Sequence, residues 1–543
     1  MSLPQYYTAD VCTPARASLL TGRYALTLGW QYDEHIVSKS GGLGLEETTV
    51  AEVLQGNHYT TYFFGKWNLG NLSPRYLPTA RGFNYFLGFL NGYTYYWSKL
   101  YPYHPNFHDF MYADDKCYYG YDGADMKHYS TNLYKDKAVA AIEAHDYSKV
   151  SDAMDTTRTQ QRPRHDVTFT VPPSLPPSYP PTHPPPLLHS RPCSCLSRRK
   201  LFTTLSQTTT AGSPTACRGR TSTVTRTTTF IRLFRAPRCV NVRASRGEPL
   251  LPRPPPPLPL PPPPPPPSPP PPPLPRRSLG HRLIALHLVL CAALPPQVRE
   301  YYKSLAVLDR SVEAMYNAFK RTGVVDNTYI LFASDNGGCP AGGGRNYPLR
   351  GTKGSLFEGG VRVEAFIHSA KLPSAIRGSS YANIFHVSDW FPTILDMAGV
   401  AHTPAAGFEL DGVSHHAALT ATGRAATRPP REHLLINYYY NPASPADTHM
   451  TSVPMAVRNS RYKLMHTYDS LKAGAWYGRD DVAESDDDLL TQGGCAQAVA
   501  WKTGKFTYYL FDLESDPNET TNLYDADADM TAVQVRPASP RLA

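Results

Sequence analysis

The sequence predicts an α/β fold: a central, mostly parallel or mixed sheet between helices, followed by a smaller antiparallel domain. Three observations predict it. Leu305, Leu308, Val312, Met315 and Phe319 recur every three or four residues, one apolar stripe of a helix that stops at Gly323. A buried strand at 329–333 and a polar loop, Ser334-Asp335-Asn336-Gly337-Gly338, follow directly. In folds with this rhythm, ligand groups sit at the carboxyl ends of strands. The last hundred or so residues break it: 455–458 and 462–466 flank Asn459-Ser460, a hairpin signal, and 508–513 adds a strand. A chain of 543 residues has room for both parts.

The remaining elements follow in order. Residues 15–20 form a helix just after Pro14, because proline suits a helix's first turn, and Gly22 ends it. Residues 46–54 read as a second short helix. The run YTTYFF at 59–64 is β-branched and aromatic, a buried strand, with Gly65-Lys66-Trp67 at its end. Residues 83–103 are rich in aromatics and glycine and read as a packed loop in preference to a carbohydrate platform. A helix is expected at 132–145, a strand at 361–367 and a helix at 389–398.

Charge and composition divide the chain. Residues 151–298 hold 19 Lys+Arg against 4 Asp+Glu, a balance of +15, so the rest of this +9 chain carries −6. The same segment holds 35 of the 54 prolines, including uninterrupted polyproline at 254–257 and 261–267. Such a segment buries too little apolar surface to offset its ordering entropy. It reads as non-coding sequence carried by a faulty gene model in preference to a disordered linker offering proline ligands. The expected divisions are 1–150 and 299–423 as two parts of one catalytic-type domain, 151–298 as a low-complexity insert, 424–525 as a small C-terminal subdomain and 526–543 as a tail. The basic segment lacks interleaved aromatics, which argues against nucleic acid as a partner. No apolar run reaches the ~20 residues a membrane span takes, and Met1 to Asp10 has no signal-peptide core. The cysteines outside the insert, Cys12, Cys117, Cys339 and Cys495, are too scattered for a disulfide scaffold. Asn71-Leu72-Ser73 and Asn518-Glu519-Thr520 are glycosylation sequons, used if the chain enters the secretory pathway.

The chemistry centres on VCTPARASLLTGRY, residues 11–24. Cys12 lies at the N-terminus of the helix expected at 15–20, where the positive end of the dipole favours a thiolate. Arg16 lies one turn on. Cys12-Thr13-Pro14-Ala15-Arg16 resembles the signature of the type I, formylglycine-dependent sulfatases, closest to the arylsulfatase B, I and J branch. Further motifs continue the likeness in family order: Gly65-Lys66-Trp67-Asn68-Leu69-Gly70, Arg81-Gly82-Phe83, Tyr129-Ser130-Thr131-Asn132, Asp335-Asn336, PLRGTKGSLFEGGV at 348–361, Asp389-Trp390-Phe391-Pro392-Thr393 and Phe511-Asp512-Leu513. The resemblance covers about 1–150 and 299–525 and implies an alkaline-phosphatase-like sandwich. It also implies a sulfuric ester hydrolase acting on a sulfated sugar or aryl ester. A formylglycine-generating enzyme would convert Cys12 to an aldehyde whose hydrate is the nucleophile, and a second hydroxyl would let sulfate leave by elimination. Arg16 would stabilise that hydrate, Lys66 and Lys353 would contact the sulfate, and Cys12, Asp335 and Asn336 would contribute to a calcium site. Family members are secreted or lysosomal.

Three departures from the family pattern shape the expectations. The family's first strand, ending in two calcium-binding aspartates, falls before Met1, so a depleted metal site and a missing strand are expected; Asp10 stands in the wrong place to substitute. Asn68 stands where the family has histidine, and an amide cannot carry a proton near neutral pH. The second active-site histidine belongs to the strand replaced by the insert, and neither His165 nor His183 replaces it. The chain is therefore expected to be inactive or nearly so. The alternatives are a non-catalytic binder of sulfated glycans, a phosphate or phosphonate ester hydrolase of the same superfamily, and an interaction protein using its proline runs.

Overall fold

The computed structural model describes residues 1–31, 41–101, 104–109, 112–113, 116–117, 128–147, 167–171, 296–421, 429–438, 454–468 and 506–524. The chain divides into two units, Met1–Pro180 with Gly280–Ala543, and Pro181–Leu279; the second lies outside the described residues, as do His165, His183 and the polyproline runs.

The helix Cys12–Thr21 starts at the cysteine itself, two residues before Pro14. Val11 precedes it in extended conformation and provides no side-chain cap. Gly22 closes it at φ +71, with its N–H on the Ser18 carbonyl at 3.0 Å. A Cβ there would lie 2.8 Å from that of Phe391, so both the backbone angle and the packing call for glycine. The second helix is Val50–Gly56, later than 46–54. Its start is set by a capping box, in which Thr49 accepts from the Glu52 N–H at 3.1 Å and Glu52 accepts from the Thr49 N–H at 2.7 Å.

Strand Thr61–Lys66 pairs in parallel with Tyr85–Phe89 on one side and Val167–Val171 on the other. Its alternating aromatics divide between two apolar clusters. Phe63 joins Trp67, Phe83 and Phe86 on one face; Phe64 joins Leu87, Leu133 and Tyr134 on the other. Burial on both faces is the reason the run is continuously apolar rather than alternating. Ile330–Ala333 pairs antiparallel with Ala365–His368, and Tyr6–Tyr7 runs parallel to Phe385–His386. Parallel and antiparallel pairs thus occur together; helix Ser130–Ala144 packs on strand Thr61–Lys66 and on helix Pro296–Arg321, and helix Trp390–Ala398 packs on Cys12–Thr21.

A separate four-stranded antiparallel sheet takes His433–Tyr438, Met455–Asn459, Tyr462–Tyr468 and Phe506–Asp512 in that order. Asn459 and Ser460 make the expected hairpin turn, and the Asn459 side chain accepts from the Arg461 and Tyr462 N–H groups at 2.9 and 2.7 Å.

Several expectations need correction. Residues 83–103 begin with a strand, not a loop, because Tyr85–Phe89 supplies the edge onto which Thr61–Lys66 pairs. Residues 361–367 are not one strand: Glu358–Val361 is a short helix, and the strand begins at Ala365. The first strand of the C-terminal sheet, His433–Tyr438, adds to the three strands expected there and lies within the expected 424–525 subdomain. Val167–Val171 is a strand inside the segment set aside as featureless, and helix Pro296–Arg321 starts before that segment's expected end.

Candidate active site

Four parts of the fold bring the predicted residues together. Cys12 and Arg16 lie on the helix Cys12–Thr21. Lys66 is the last residue of its strand. Asp335 and Asn336 follow the strand Ile330–Ala333 at its carboxyl end. Lys353 lies in the loop before Glu358–Val361, its N–H on the Gly338 carbonyl at 3.1 Å.

The Cys12 thiol is buried, donates to Asn336 Oδ1 at 3.2 Å and accepts from Lys353 Nζ at 3.3 Å. Arg16 is also buried. One of its nitrogens donates to the Lys66 carbonyl at 2.6 Å and the other pairs with the Asp335 carboxylate at 3.4 Å. Arg16 ties the end of one strand to the loop after another. The Asn336 amide donates to the Gly337 carbonyl at 2.9 Å, which turns its oxygen toward the thiol. Thr8, absent from the sequence reading, supports the loop by donating to the Asp335 carbonyl at 2.9 Å.

The electrostatics follow from this packing. Burial pulls the fully enclosed Lys66 ammonium below its ordinary range; the charge of Cys12 opposes this and that of Arg16 adds to it. Burial pushes the Asp335 carboxyl up, but Arg16, Lys66 and Lys353 overcome that and hold it below the usual carboxylate range. The cluster thus sets three cationic side chains against one carboxylate, an arrangement suited to an oxyanion.

The same residues were expected to hold calcium, and they do not fit it. Calcium takes about 6–8 oxygen ligands. The described donors here are the Asp335 carboxylate, already paired with Arg16, and the Asn336 amide oxygen, already engaged by Cys12. Among the described residues no group of three His, Cys, Asp or Glu side chains is placed to hold a metal. Asp10 does not substitute: its carboxylate accepts from Asn437 at 3.2 Å and its carbonyl from the Gly354 N–H at 2.9 Å.

Other predicted positions are structural. Asn68 is buried at φ +59 directly after Lys66-Trp67. Arg81 binds Glu52 at 3.0 Å and the carbonyls of Leu43 and Glu47. Asp389 is enclosed by His415, Arg431 and the backbone of His386 and Val413. Asn71 donates to Asn91 at 3.0 Å from a half-buried position, and Asn518 lies in the turn after the last strand. Cys339 is disulfide-bonded, whereas Cys12 is free.

Comparison with known proteins agrees with this geometry. The profile of the family described as Sulfatase matches residues 1–152 and 235–400. The chain is 23% identical over 532 residues to arylsulfatase J of Mus musculus, covering 96% of this chain and 67% of that protein. It is 51% identical over 80 residues to arylsulfatase G of Canis lupus familiaris and 47% identical over 85 residues to arylsulfatase A of Homo sapiens. Those two matches span 15% and 17% of the relatives' lengths. Among solved structures, a crystal structure of Ps i-CgsB in complex with k-i-k-neocarrahexaose shares the fold, with a TM-score of 0.53 at 18% identity over 96% of this chain and 80% of that one. The PsFucS1 sulfatase from Pseudoalteromonas sp. shares it at TM-score 0.53 and 16% identity, over 96% of this chain and 78% of that one.

Proposed function

This chain belongs to the sulfatase family, the sulfuric ester hydrolases, and from that membership we propose that it cleaves a sulfate ester at residue 12, slowly, after conversion of Cys12 to formylglycine. One observation carries the reading: the Cys12 side chain is held between Asn336 and Lys353, beside an Arg16–Asp335 pair that also grips the end of the Lys66 strand. Oxygens in place of the sulfur would meet a donor in Lys353 and stand within the cationic cluster. When formed, formylglycine supplies a hydrated aldehyde as the oxygen nucleophile.

The chain's own residues do the rest. Lys353 and Lys66 attract the sulfate oxygens and offset the charge that builds on them as the ester bond breaks. Arg16 is a positioning residue, since its guanidinium is occupied by the Lys66 carbonyl and Asp335. The departing oxygen needs a proton. Cys12 bonds Asn336, Lys353 and the Asp335 carboxylate, and the acid among these contacts that carries a positive charge is the Lys353 ammonium. No imidazole is among these contacts, so the group best suited to give up a proton near neutral pH is missing from them, and slow turnover follows.

Calcium belongs to the family pattern, but the described donors do not fit it, and no step here depends on it. The metal misfit and Asn68 favour a second reading, a binder of sulfated glycans with the same anion site and no turnover. A phosphate or phosphonate ester would meet the same cations. The disulfide at Cys339 supports a secretory route, in which Asn71 and Asn518 are candidate glycosylation sites.

Two measurements on the chain from a secretory host test the reading. Mass spectrometry of the Cys12 peptide should find formylglycine. Hydrolysis of an aryl sulfate should be measurable and abolished by Cys12→Ala. Unmodified thiol together with no turnover refutes the hydrolase; sulfate binding that survives those two results identifies the binder.

A further inference from the structure

The loop that carries Lys353 is held at both ends by one residue of the C-terminal subdomain. Glu519 follows the strand Phe506–Asp512, in a turn pinned by Asp516, whose carboxylate accepts from the Thr520 hydroxyl and the Thr521 N–H at 2.8 Å each. Glu519 is fully buried, and its backbone stands at φ +58, a left-handed angle that is strained for a residue with a side chain. One carboxylate oxygen accepts from the Lys463 ammonium at 2.8 Å and the other from the Glu358 N–H at 2.6 Å. The Glu519 carbonyl accepts from the Arg350 guanidinium at 3.3 Å. Arg350 lies over the Phe357 ring at 4.1 Å, and its own carbonyl accepts from the Gly359 N–H at 2.6 Å. Residues 350–358 thus form a loop closed at its base, with Glu519 bound to its first and last members. Between them the Thr352 N–H donates to the Ser355 hydroxyl at 3.0 Å, and the Lys353 ammonium reaches Cys12 at 3.3 Å.

Strain of this kind persists where the surroundings over-determine it, and here the surroundings are a loop of the site. We propose that Glu519 is a positioning residue for Lys353: its carboxylate ties the 350–358 loop to the buried Lys463 and so fixes where the Lys353 ammonium stands beside residue 12. A carboxylate suits the task because it accepts only, and its two oxygens serve two donors. An amide has one oxygen to offer, so it keeps one contact and turns a donor toward the other; a protonated carboxyl likewise turns one oxygen into a donor. Burial, then the charge of Glu358, raises this carboxyl to about 7 against the pull of Lys463, so the hold tightens as pH rises through neutrality. Tyr7, Arg458 and Arg362 act on the same cluster through Glu358, and Tyr509 and Asp516 lie beside Arg350. The inference rests on the sulfatase reading only in taking sulfate as the ion that Lys353 binds.

The test is isothermal titration of the full chain with inorganic sulfate at about pH 6 and about pH 8. At the lower pH the parent and Glu519→Gln should bind alike, because the protonated carboxyl resembles the amide. At the higher pH the parent should bind several-fold tighter. In a Lys353→Met background that difference should vanish, since the residue acted through is gone. Hydrogen exchange at the higher pH should quicken across 350–359 in Glu519→Gln and stay parent-like in the strand Thr61–Lys66, which also shows that the variant is folded. A difference in affinity that is the same at both pH values, or that persists without Lys353, overturns the positioning role. So does parent-like exchange in the loop. If inorganic sulfate fails to bind the parent chain, the sulfatase reading fails, and loop exchange alone decides the role of Glu519: quickening at the higher pH and not at the lower upholds it, and no change refutes it.

Discussion

Lys463 in the C-terminal sheet gives the sharpest test of how that sheet supports the site. Its ammonium lies 3.0 Å from Glu358 and 2.8 Å from Glu519, and all three side chains are fully buried. Glu358 also accepts from Tyr7 at 2.6 Å, and Tyr7 is bound by Arg458. Glu519 in turn accepts from the Glu358 N–H at 2.6 Å. Lys463→Met keeps the length of the side chain and removes the charge, which leaves two buried carboxyls facing each other. Breaking a buried pair in this way costs about 3–5 kcal/mol, a large part of the ~5–15 kcal/mol that holds a domain together. The cost depends on pH in a defined direction. Burial, then the charge of Glu358, raises the Glu519 carboxyl against the pull of Lys463. Between the ordinary carboxyl range and that raised value, the folded chain keeps a proton that the unfolded chain has lost, so stability falls as pH rises. Without Lys463 the Glu519 value rises further, and the window extends to higher pH. Glu358 behaves oppositely: burial raises it, but Lys463, Arg458 and Arg362 win and hold it low, so its contribution is lost as pH falls. Urea unfolding at about pH 5 and about pH 8 should therefore show a larger deficit for Lys463→Met at the higher pH, and Glu519→Gln added to it should recover part of the loss. A deficit under ~1 kcal/mol at both pH values, or one larger in acid, refutes the reasoning.

Other expectations follow from single contacts. Burial and then Arg431 hold His386 neutral, lowering it to about 3 against the pull of Asp389. Its contribution to stability is complete above the unfolded value of ~6.5 and is lost as pH falls toward that lower value, by roughly 4–5 kcal/mol in all. His386→Gln should flatten the acid limb of a stability–pH curve; an unchanged slope contradicts this. A Cβ at Gly88 would lie 1.8 Å from the Gly65 carbonyl oxygen, so Gly88→Ala should push apart the strand pair that ends at Lys66. A loss of about 3 kcal/mol or more is expected, and a parent-like melting midpoint counts against the pairing. Asn68→His places a group that can carry a proton two residues after Lys66, where the family pattern has histidine, and should raise aryl sulfate turnover by about a hundredfold; equal rates show that position 68 does not limit the reaction. Chelation of divalent cations should leave inorganic sulfate affinity unchanged, and a marked loss would reveal metal ligands beyond those described.

How much the sequence disclosed depended on whether the signal was local. Cys12, Arg16, Lys66, Asp335, Asn336 and Lys353 were singled out by motif and order, and the fold brings them together, five by direct side-chain contacts and Lys66 through its carbonyl. The helix after Pro14, the buried strand before Lys66 and the Asn459-Ser460 hairpin were readable because proline, β-branched runs and turn residues act on their own neighbours. What stayed hidden was set by distant partners. Tyr85–Phe89 is a strand because Thr61–Lys66 presents a parallel edge to it, and nothing within 83–103 separates that outcome from a loop. His433–Tyr438 was obscured by its alanine- and proline-rich flanks. The Glu358–Lys463–Glu519 cluster joins residues more than fifty positions apart, and a lone lysine in a strand carries no sign of its carboxylates.

Arg16 shows why the motif and the fold are one design. The family resemblance gave it one role, a cation stabilising the hydrate, and the contacts in the structure give it a positioning one. Being one turn from Cys12, it points the same way from the helix. Its two bonded nitrogens diverge, one to the end of the Lys66 strand and one to the carboxylate after Ile330–Ala333. A lysine offers one nitrogen for both contacts, whereas the guanidinium meets them with two separate nitrogens held in a rigid plane. The two strands belong to different sheets, so no backbone ladder fixes the distance between Lys66 and Asp335. The guanidinium does, and the helix that carries it also carries the reactive cysteine. A cysteine-to-arginine spacing of one helical turn is thus what lets a single helix set the nucleophile against the lysine and the acidic loop at once.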